Sequence, residues 1–133
     1  MKISTASTVA AWVPVALRCL KYFGIDESQA FQRANINPDK LLEAHARYNV
    51  LETHRLMDLV NSELTVPLAG LELAKYTNAN SFGALGFAML ASPTIEDALN
   101  RLKRFSPVAS TVVRFDVFHA QGLTEIRIQE GLS

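Results

Sequence analysis

The sequence predicts a single domain of the α+β class: about six or seven helices, followed by an antiparallel β-hairpin that belongs to a larger sheet. Three observations support this prediction. Proline, glycine, asparagine and serine divide the first 110 residues into short segments, several of these segments space their apolar residues as a helix does, and the last twenty residues alternate apolar and polar side chains. A chain of 133 residues with 49% hydrophobic residues is long enough to bury one core.

The first helices are predicted to be short and closely linked. Pro14 is suited to the first turn of a helix, and Gly24 is suited to ending it. Asp26 can cap a second helix that ends near Ala34, and the NINP sequence at residues 35–38 breaks the chain before a third, short helical turn.

A longer helix is predicted from Leu51 to Leu64. Its apolar residues fall on one stripe at Leu56, Leu59, Val60 and Leu64. Pro67 is expected to open another helix, which runs to about Tyr76.

A glycine-rich helix is predicted next, with Ser81 as its N-cap and Leu90 near its end. Gly83 and Gly86 weaken a helix, so we expect a close crossing of another helix to offset their cost, or a helix that is simply buried because it is apolar nearly all round.

The clearest helix start is at Thr94, because Asp97 three residues later resembles a capping box. The helix is predicted from Ile95 to about Ala109, shortened by a turn at Pro107. Its expected inward residues are Ile95, Ala98, Leu99, Leu102, Phe105 and Ala109.

After residue 111 the apolar residues recur at every second position, which predicts the two strands of a β-hairpin. Val113, Phe115 and Val117 share one face of the first strand, and Ile126 and Ile128 share one face of the second. Residues 119–122 are predicted to form the turn, with His119 in it. An isolated hairpin is marginally stable, so it must lie on the helices or join further strands.

Composition excludes several classes of protein. Lys and Arg number 13 and Asp and Glu number 13, so the chain lacks the basic surface typical of a nucleic-acid-binding domain. The single cysteine, Cys19, is predicted to be a buried apolar residue and excludes an intrachain disulfide. The longest apolar stretch is too short to span a membrane. We therefore expect a cytoplasmic protein without a membrane partner.

Residue patterns for catalysis and metal binding are missing from the sequence. His45, His54 and His119 are not paired at metal-ligand spacing, and the sequence has no nucleophile elbow or phosphate-binding loop. We expect no catalytic residues, no metal, no cofactor and no enzyme activity. The aromatic residues that could line an apolar pocket are Phe82, Phe87, Phe105, Phe115 and Phe118.

Several segments resemble one protein family. They are GLEL at residues 70–73, SFGALGFAMLASPTIEDAL at residues 81–99 and the basic-aromatic pair Arg104-Phe105. Together they are similar to the N-terminal effector domain of AraC/XylS-type bacterial transcription regulators, in the subgroup called arabinose-binding-like. Residues 34–59 also resemble this family, although Asn35 stands where glycine is common.

The resemblance implies that residues 1–133 form an effector-sensing and dimerisation domain that is incomplete at its C-terminal end. It further implies a C-terminal helix-turn-helix DNA-binding domain that is absent from this chain, so DNA would be bound only through that domain. The expected partners are a small apolar or amphiphilic effector and a second copy of the chain. Aromatic bulk or a cationic anchor near the helix–sheet junction makes six residues candidates for effector binding: Tyr48, Arg55, Phe82, Phe87, Phe105 and Arg114.

Two alternative functions remain open at this point. Residues 28–42 could form a small helix-turn-helix that binds DNA directly, although the neutral charge argues against it. A small enzyme would need a perturbed histidine beside a pocket formed by Phe82 or Phe105.

Overall fold

A computed structural model describes residues 5–131 and gives them an α+β fold, as predicted. Six α-helices and two pairs of antiparallel strands follow one another along the chain. They are β1 (Ser7–Val9), α1 (Val13–Tyr22), α2 (Glu27–Ala34), β2 (Arg47–Asn49), α3 (Val50–Glu63), α4 (Ala69–Ala74), α5 (Ala84–Leu90), α6 (Ile95–Ala109), β3 (Val113–Ala120) and β4 (Leu123–Glu130). Short 3₁₀ turns occupy Ala10–Trp12, Pro38–Leu42 and Ala79–Phe82.

The hydrophobic core lies among α1, α2 and α3. Leu20 of α1, Ala30 of α2 and Leu56 of α3 are completely buried in it. Cys19 is buried there too, as predicted, and burial raises the pKa of its thiol. None of the helices in residues 5–131 is long and apolar enough to cross a membrane.

Side-chain caps begin three of the helices. Asp26 and Gln29 form a reciprocal capping box at α2, and Asn49 and Glu52 form another at α3. The hydroxyl of Thr94 accepts a hydrogen bond from the backbone N–H of Asp97 at α6. The predicted caps at Asp26 and Thr94 are therefore confirmed.

The small sheet of β1 and β2 was not predicted. Ser7 pairs with Asn49 and Val9 pairs with Arg47 in antiparallel register. Thr8 also forms an isolated bridge with Ser110, which ties the N-terminal segment to the end of α6. Each of the two strands has only three residues, which is too short to show an alternating pattern, and the two lie far apart in the sequence.

The region around Ser81 and α6 requires three corrections. Ser81 does not cap α5, because it lies in the preceding 3₁₀ turn and its hydroxyl accepts a hydrogen bond from the backbone N–H of Asn78. Pro107 does not shorten α6, which continues to Ala109. Two of the expected inward residues of α6 are exposed instead: Ile95, in the first turn, is 81% exposed and Phe105 is 43% exposed.

The hairpin of β3 and β4 is confirmed, with Val117 opposite Ile126 and Phe115 opposite Ile128. Its turn is shorter than predicted: Gln121 and Gly122 form it with positive φ angles, and His119 is a strand residue opposite Thr124. Within residues 5–131, β3 pairs with β4 alone, so the larger sheet remains a prediction.

The segment proposed as a helix-turn-helix, residues 28–42, contains one α-helix followed by a 3₁₀ turn. A helix-turn-helix needs a second α-helix to enter the major groove of DNA, and this segment does not provide one.

Candidate functional site

An apolar cavity of about 380 Å³ lies where the N-terminal segment, α3, α5, α6 and β3 meet. This volume falls within the range of roughly 300–1,000 Å³ found for small-molecule sites. The main apolar side chains of its wall are Val9, Trp12, Val15, Met57, Leu73, Phe82, Leu85, Leu102, Val113 and Phe115.

The 3₁₀ turn at Ala79–Phe82 positions one side of the cavity. Asn78 caps this turn by accepting a hydrogen bond from the backbone N–H of Asn80. Gly83 follows with a φ of +60°, a conformation that a side chain would disfavour. The turn places buried Ser81 and half-exposed Phe82 in the wall.

The polar side chains around the cavity mostly bond to their own surroundings. The hydroxyls of Thr8 and Ser110 lie 3.1 Å apart and share a hydrogen bond. Thr53 donates to the backbone oxygen of Asn49, and the exposed Thr77 donates to that of Leu73. Thr53 and Thr77 have their donors satisfied, and one of the two hydroxyls of Thr8 and Ser110 donates to the other, so the cavity mainly offers apolar surface to a ligand.

Trp12 adds a buried polar group to the wall. Its indole nitrogen is buried and has no hydrogen-bond partner in residues 5–131. A buried N–H without a partner costs free energy, which a ligand acceptor could recover after a small movement of the ring. Trp12 is also the single tryptophan of the chain, so its fluorescence reports on this cavity alone.

A second, more polar groove of about 350 Å³ adjoins the cavity. Val9 and Phe82 line both spaces, which makes them the partition between the two. Arg47 is a charged side chain of this groove, and it is held by three hydrogen bonds. Its guanidinium donates to the hydroxyl of Ser7 (2.8 Å), the backbone oxygen of Ser7 (3.0 Å) and the backbone oxygen of Val108 (2.6 Å).

Burial lowers the pKa of Arg47, because removing a guanidinium from water disfavours its charged form. The structure shows no carboxylate of residues 5–131 within 4.0 Å of this guanidinium. Arg47 therefore holds a partly desolvated positive charge that no described side chain neutralises.

The structure brings one of the six predicted effector-binding residues into the cavity wall, namely Phe82. Phe115, which belongs to the aromatic set noted in the sequence, also lies there. Arg114 lies outside the cavity wall and lines another groove beside Lys103 and Asp116, which shares Ser106, Val113 and Phe115 with the cavity.

The other four predicted residues lie outside the cavity wall. Tyr48 is buried in the core, and its hydroxyl donates to the backbone oxygen of Asn37. Arg55 donates to the backbone oxygens of Ala34 and Asn35 at the end of α2. Phe87 and Phe105 are 54% and 43% exposed, and Arg104 lies over the Phe105 ring.

Sequence reasoning missed several wall residues, above all Trp12, Val15 and Met57. Trp12 lies in a 3₁₀ turn, which has no amphipathic period to identify its inward face. Val15 and Met57 look like ordinary core positions on their helices. The one available signal was the presence of a single tryptophan in an apolar segment.

Metal binding finds no support in the geometry of residues 5–131. No group of three or more His, Cys, Asp or Glu side chains in this part of the chain is arranged to hold an ion.

Comparison with known proteins identifies similar chains. Residues 24–132 match a family model described as the N-terminal arabinose-binding domain of the AraC transcription regulator. The chain is also 24% identical over 128 residues to the ornithine utilization regulator of Pseudomonas aeruginosa. That alignment covers 92% of this chain and 38% of the regulator.

Proposed function

We infer the function from one premise: this chain belongs to the family of N-terminal arabinose-binding domains of AraC transcription regulators. This is a family of regulator domains and not of enzymes. We propose that the chain senses a small-molecule effector in its apolar cavity. The observation that carries the proposal is the size of the cavity together with its apolar wall.

The cavity favours an apolar or amphiphilic effector over a sugar. A sugar presents hydroxyl groups all around its ring and needs several convergent polar side chains. Here the wall hydroxyls of Thr8, Thr53 and Thr77 are already engaged with other protein groups. A molecule with an apolar body would replace water in the cavity at little polar cost.

We propose that effector binding regulates DNA binding through linkage. An effector that binds one arrangement of the regulator more tightly shifts the population towards it. The DNA-binding step belongs to a separate C-terminal domain, and the proposed site of action is the cytoplasm. The similarity to a longer protein named as a utilization regulator supports this division of roles.

Filling the cavity is expected to block ligand binding. In Ala109→Phe a phenyl group is added to a residue of the cavity wall. We expect this variant to bind 1-octanol at least about tenfold more weakly than wild type, because the ring occupies the ligand's space. Binding is measured as a saturable change in Trp12 fluorescence.

Ala120→Phe is the matched control, because Ala120 is exposed in β3 and lies outside the cavity wall. This control should bind octanol as wild type does. Equal affinity in all three proteins, or no saturable signal in wild type, would contradict the sensor proposal.

We also propose that the chain forms a homodimer through its hairpin. Phe115 and Val117 share a face with Ile128 and Ile126 of the neighbouring strand. The half of this face on β3 lies against α6, but Ile126 and Ile128 are 45% and 68% exposed on β4. An exposed apolar face beside a strand edge that pairs with no strand of residues 5–131 is suited to a symmetric partner.

Placing a charge on this face should weaken association. We expect Ile128→Lys to raise the dimer dissociation constant at least about tenfold, since a lysine would have to be desolvated in the interface. Leu123→Lys is the control, because Leu123 is exposed on the opposite face of β4. Sedimentation over a range of concentrations measures both variants. A monomeric wild type, or equal effects of the two substitutions, would argue against this interface.

A further inference from the structure

We infer that the effector is a small carboxylate-bearing molecule whose carboxylate binds Arg47 in the polar groove while its apolar part fills the neighbouring cavity. This inference rests on the proposed sensor function and adds the chemical class of the ligand.

The first argument is the unneutralised charge of Arg47. Three N–H bonds of its guanidinium are used on Ser7 and Val108, and a guanidinium has five. Two donors therefore remain for a ligand, held on a side chain that is already fixed in place. The ligand would lose little side-chain entropy in using them, and the resulting hydrogen bonds would be charge-assisted.

The second argument is that the groove and the cavity are neighbours. Val9 and Phe82 line both, so a ligand that passes Phe82 reaches both the apolar wall and the wall that contains Arg47. Phe82 is 43% exposed and belongs to neither cluster of buried core residues.

The charges of the groove favour a single negative charge on the ligand. Besides Arg47 the groove contains Glu43 and His45, both of which are exposed to water. A dianionic phosphate would meet one fixed cation and the nearby carboxylate of Glu43. A carboxylate carries the single charge that one guanidinium neutralises.

A series of ligands with the same eight-carbon chain tests the inference. The probes are octanoate, 1-octanol, octylamine and 2-aminooctanoate, and Trp12 fluorescence measures their binding. Octanoate is expected to bind wild type at least about tenfold more tightly than octanol, because it adds charge-assisted hydrogen bonds. Octylamine should not bind more tightly than octanol, because its positive charge cannot accept hydrogen bonds from the guanidinium. If 2-aminooctanoate binds more tightly than octanoate, the carboxylate comes from an amino acid; if more weakly, it comes from a fatty acid.

The affinity ratio of octanoate to octanol is then compared among variants. Arg47→Met should bring this ratio close to one, and Arg47→Lys, which keeps the charge without the planar fork, should lower it partly. Arg18→Met is the matched control, because Arg18 also donates to a backbone oxygen, that of Tyr76, but lines neither the cavity nor the groove; it should keep the wild-type ratio. The ratio is internal to each protein, so a loss of stability in Arg47→Met does not mimic the effect.

The inference and the sensor function fail differently. If octanol and octanoate bind wild type equally and Ala109→Phe blocks both, the inference is wrong and the sensor function stands. A ratio that collapses in Arg18→Met and not in Arg47→Met also overturns the inference. If wild type binds none of the four probes, both the sensor function and the inference fall.

Discussion

Gly86→Ala is expected to destabilise the domain by about 3 kcal/mol, a cost at the upper end of that for overpacking a tight interior. A Cβ at this position would lie 2.0 Å from the backbone oxygen of Ala79 and 2.8 Å from its carbonyl carbon. Both atoms belong to the backbone of the 3₁₀ turn, so no side-chain rotation can relieve the clash. Either α5 or the turn must move, and the turn carries Phe82.

Gly70→Ala provides the matched control on a neighbouring helix. A Cβ on Gly70 meets nothing within 4 Å, and Gly70 lies in α4. The substitution should therefore stabilise the domain, by up to about 1 kcal/mol, through helix propensity. Urea denaturation followed by far-UV circular dichroism measures both changes. If Gly86→Ala is as stable as wild type, α5 does not pack on Ala79 as the structure shows.

Local signals made the helices and the hairpin predictable. Asp26 and Thr94 cap their helices through residues only three positions away, so the sequence contains both partners. The glycine pair predicts a close helix crossing, but the backbone that lies against Gly86 is that of Ala79 in the preceding 3₁₀ turn and not that of another helix. Gly83 serves differently, since its positive φ ends the 3₁₀ turn before α5 begins.

Long-range pairing could not be predicted in the same way. Arg47 contacts Ser7 across 40 residues and Val108 across 61 residues. Nothing in the neighbours of Arg47 along the chain specifies these partners. The cavity is similar, because its wall combines residues from β1, five helices and β3, and its apolar residues look like ordinary core positions within their own segments.

The sequence alone also does not show which aromatic residues line the candidate site. Phe82 and Phe115 could be selected by type, but type alone does not separate them from Phe87 and Phe105, which the fold leaves outside the wall. An arginine likewise becomes a candidate anchor only when its neighbours are known. Arg55 donates to the end of α2 and lines neither the cavity nor the polar groove, whereas Arg47 lines that groove and has two N–H donors unused.

Tyr48→Ala is expected to lower the free energy of unfolding by about 3–5 kcal/mol, the cost of removing a large aromatic side chain from a core. Tyr48 is 1% exposed and is the largest of the fully buried side chains in the described residues. The ammonium nitrogen of Lys40 lies 5.0 Å from the centre of the Tyr48 ring. Burial raises the pKa of the Tyr48 hydroxyl. Tyr22→Ala is the control, since Tyr22 is 76% exposed and its loss should cost far less.

Tyr48→Phe separates the ring from the hydroxyl. The hydroxyl donates a 2.6 Å hydrogen bond to the backbone oxygen of Asn37, and losing it should cost about 1 kcal/mol. Because Tyr48 lies outside the cavity wall, Tyr48→Phe should bind octanoate with wild-type affinity at a temperature where both proteins are folded. Urea denaturation and the Trp12 titration together give both values. A variant of wild-type stability that no longer binds octanoate would place Tyr48 in the ligand site and not in the core.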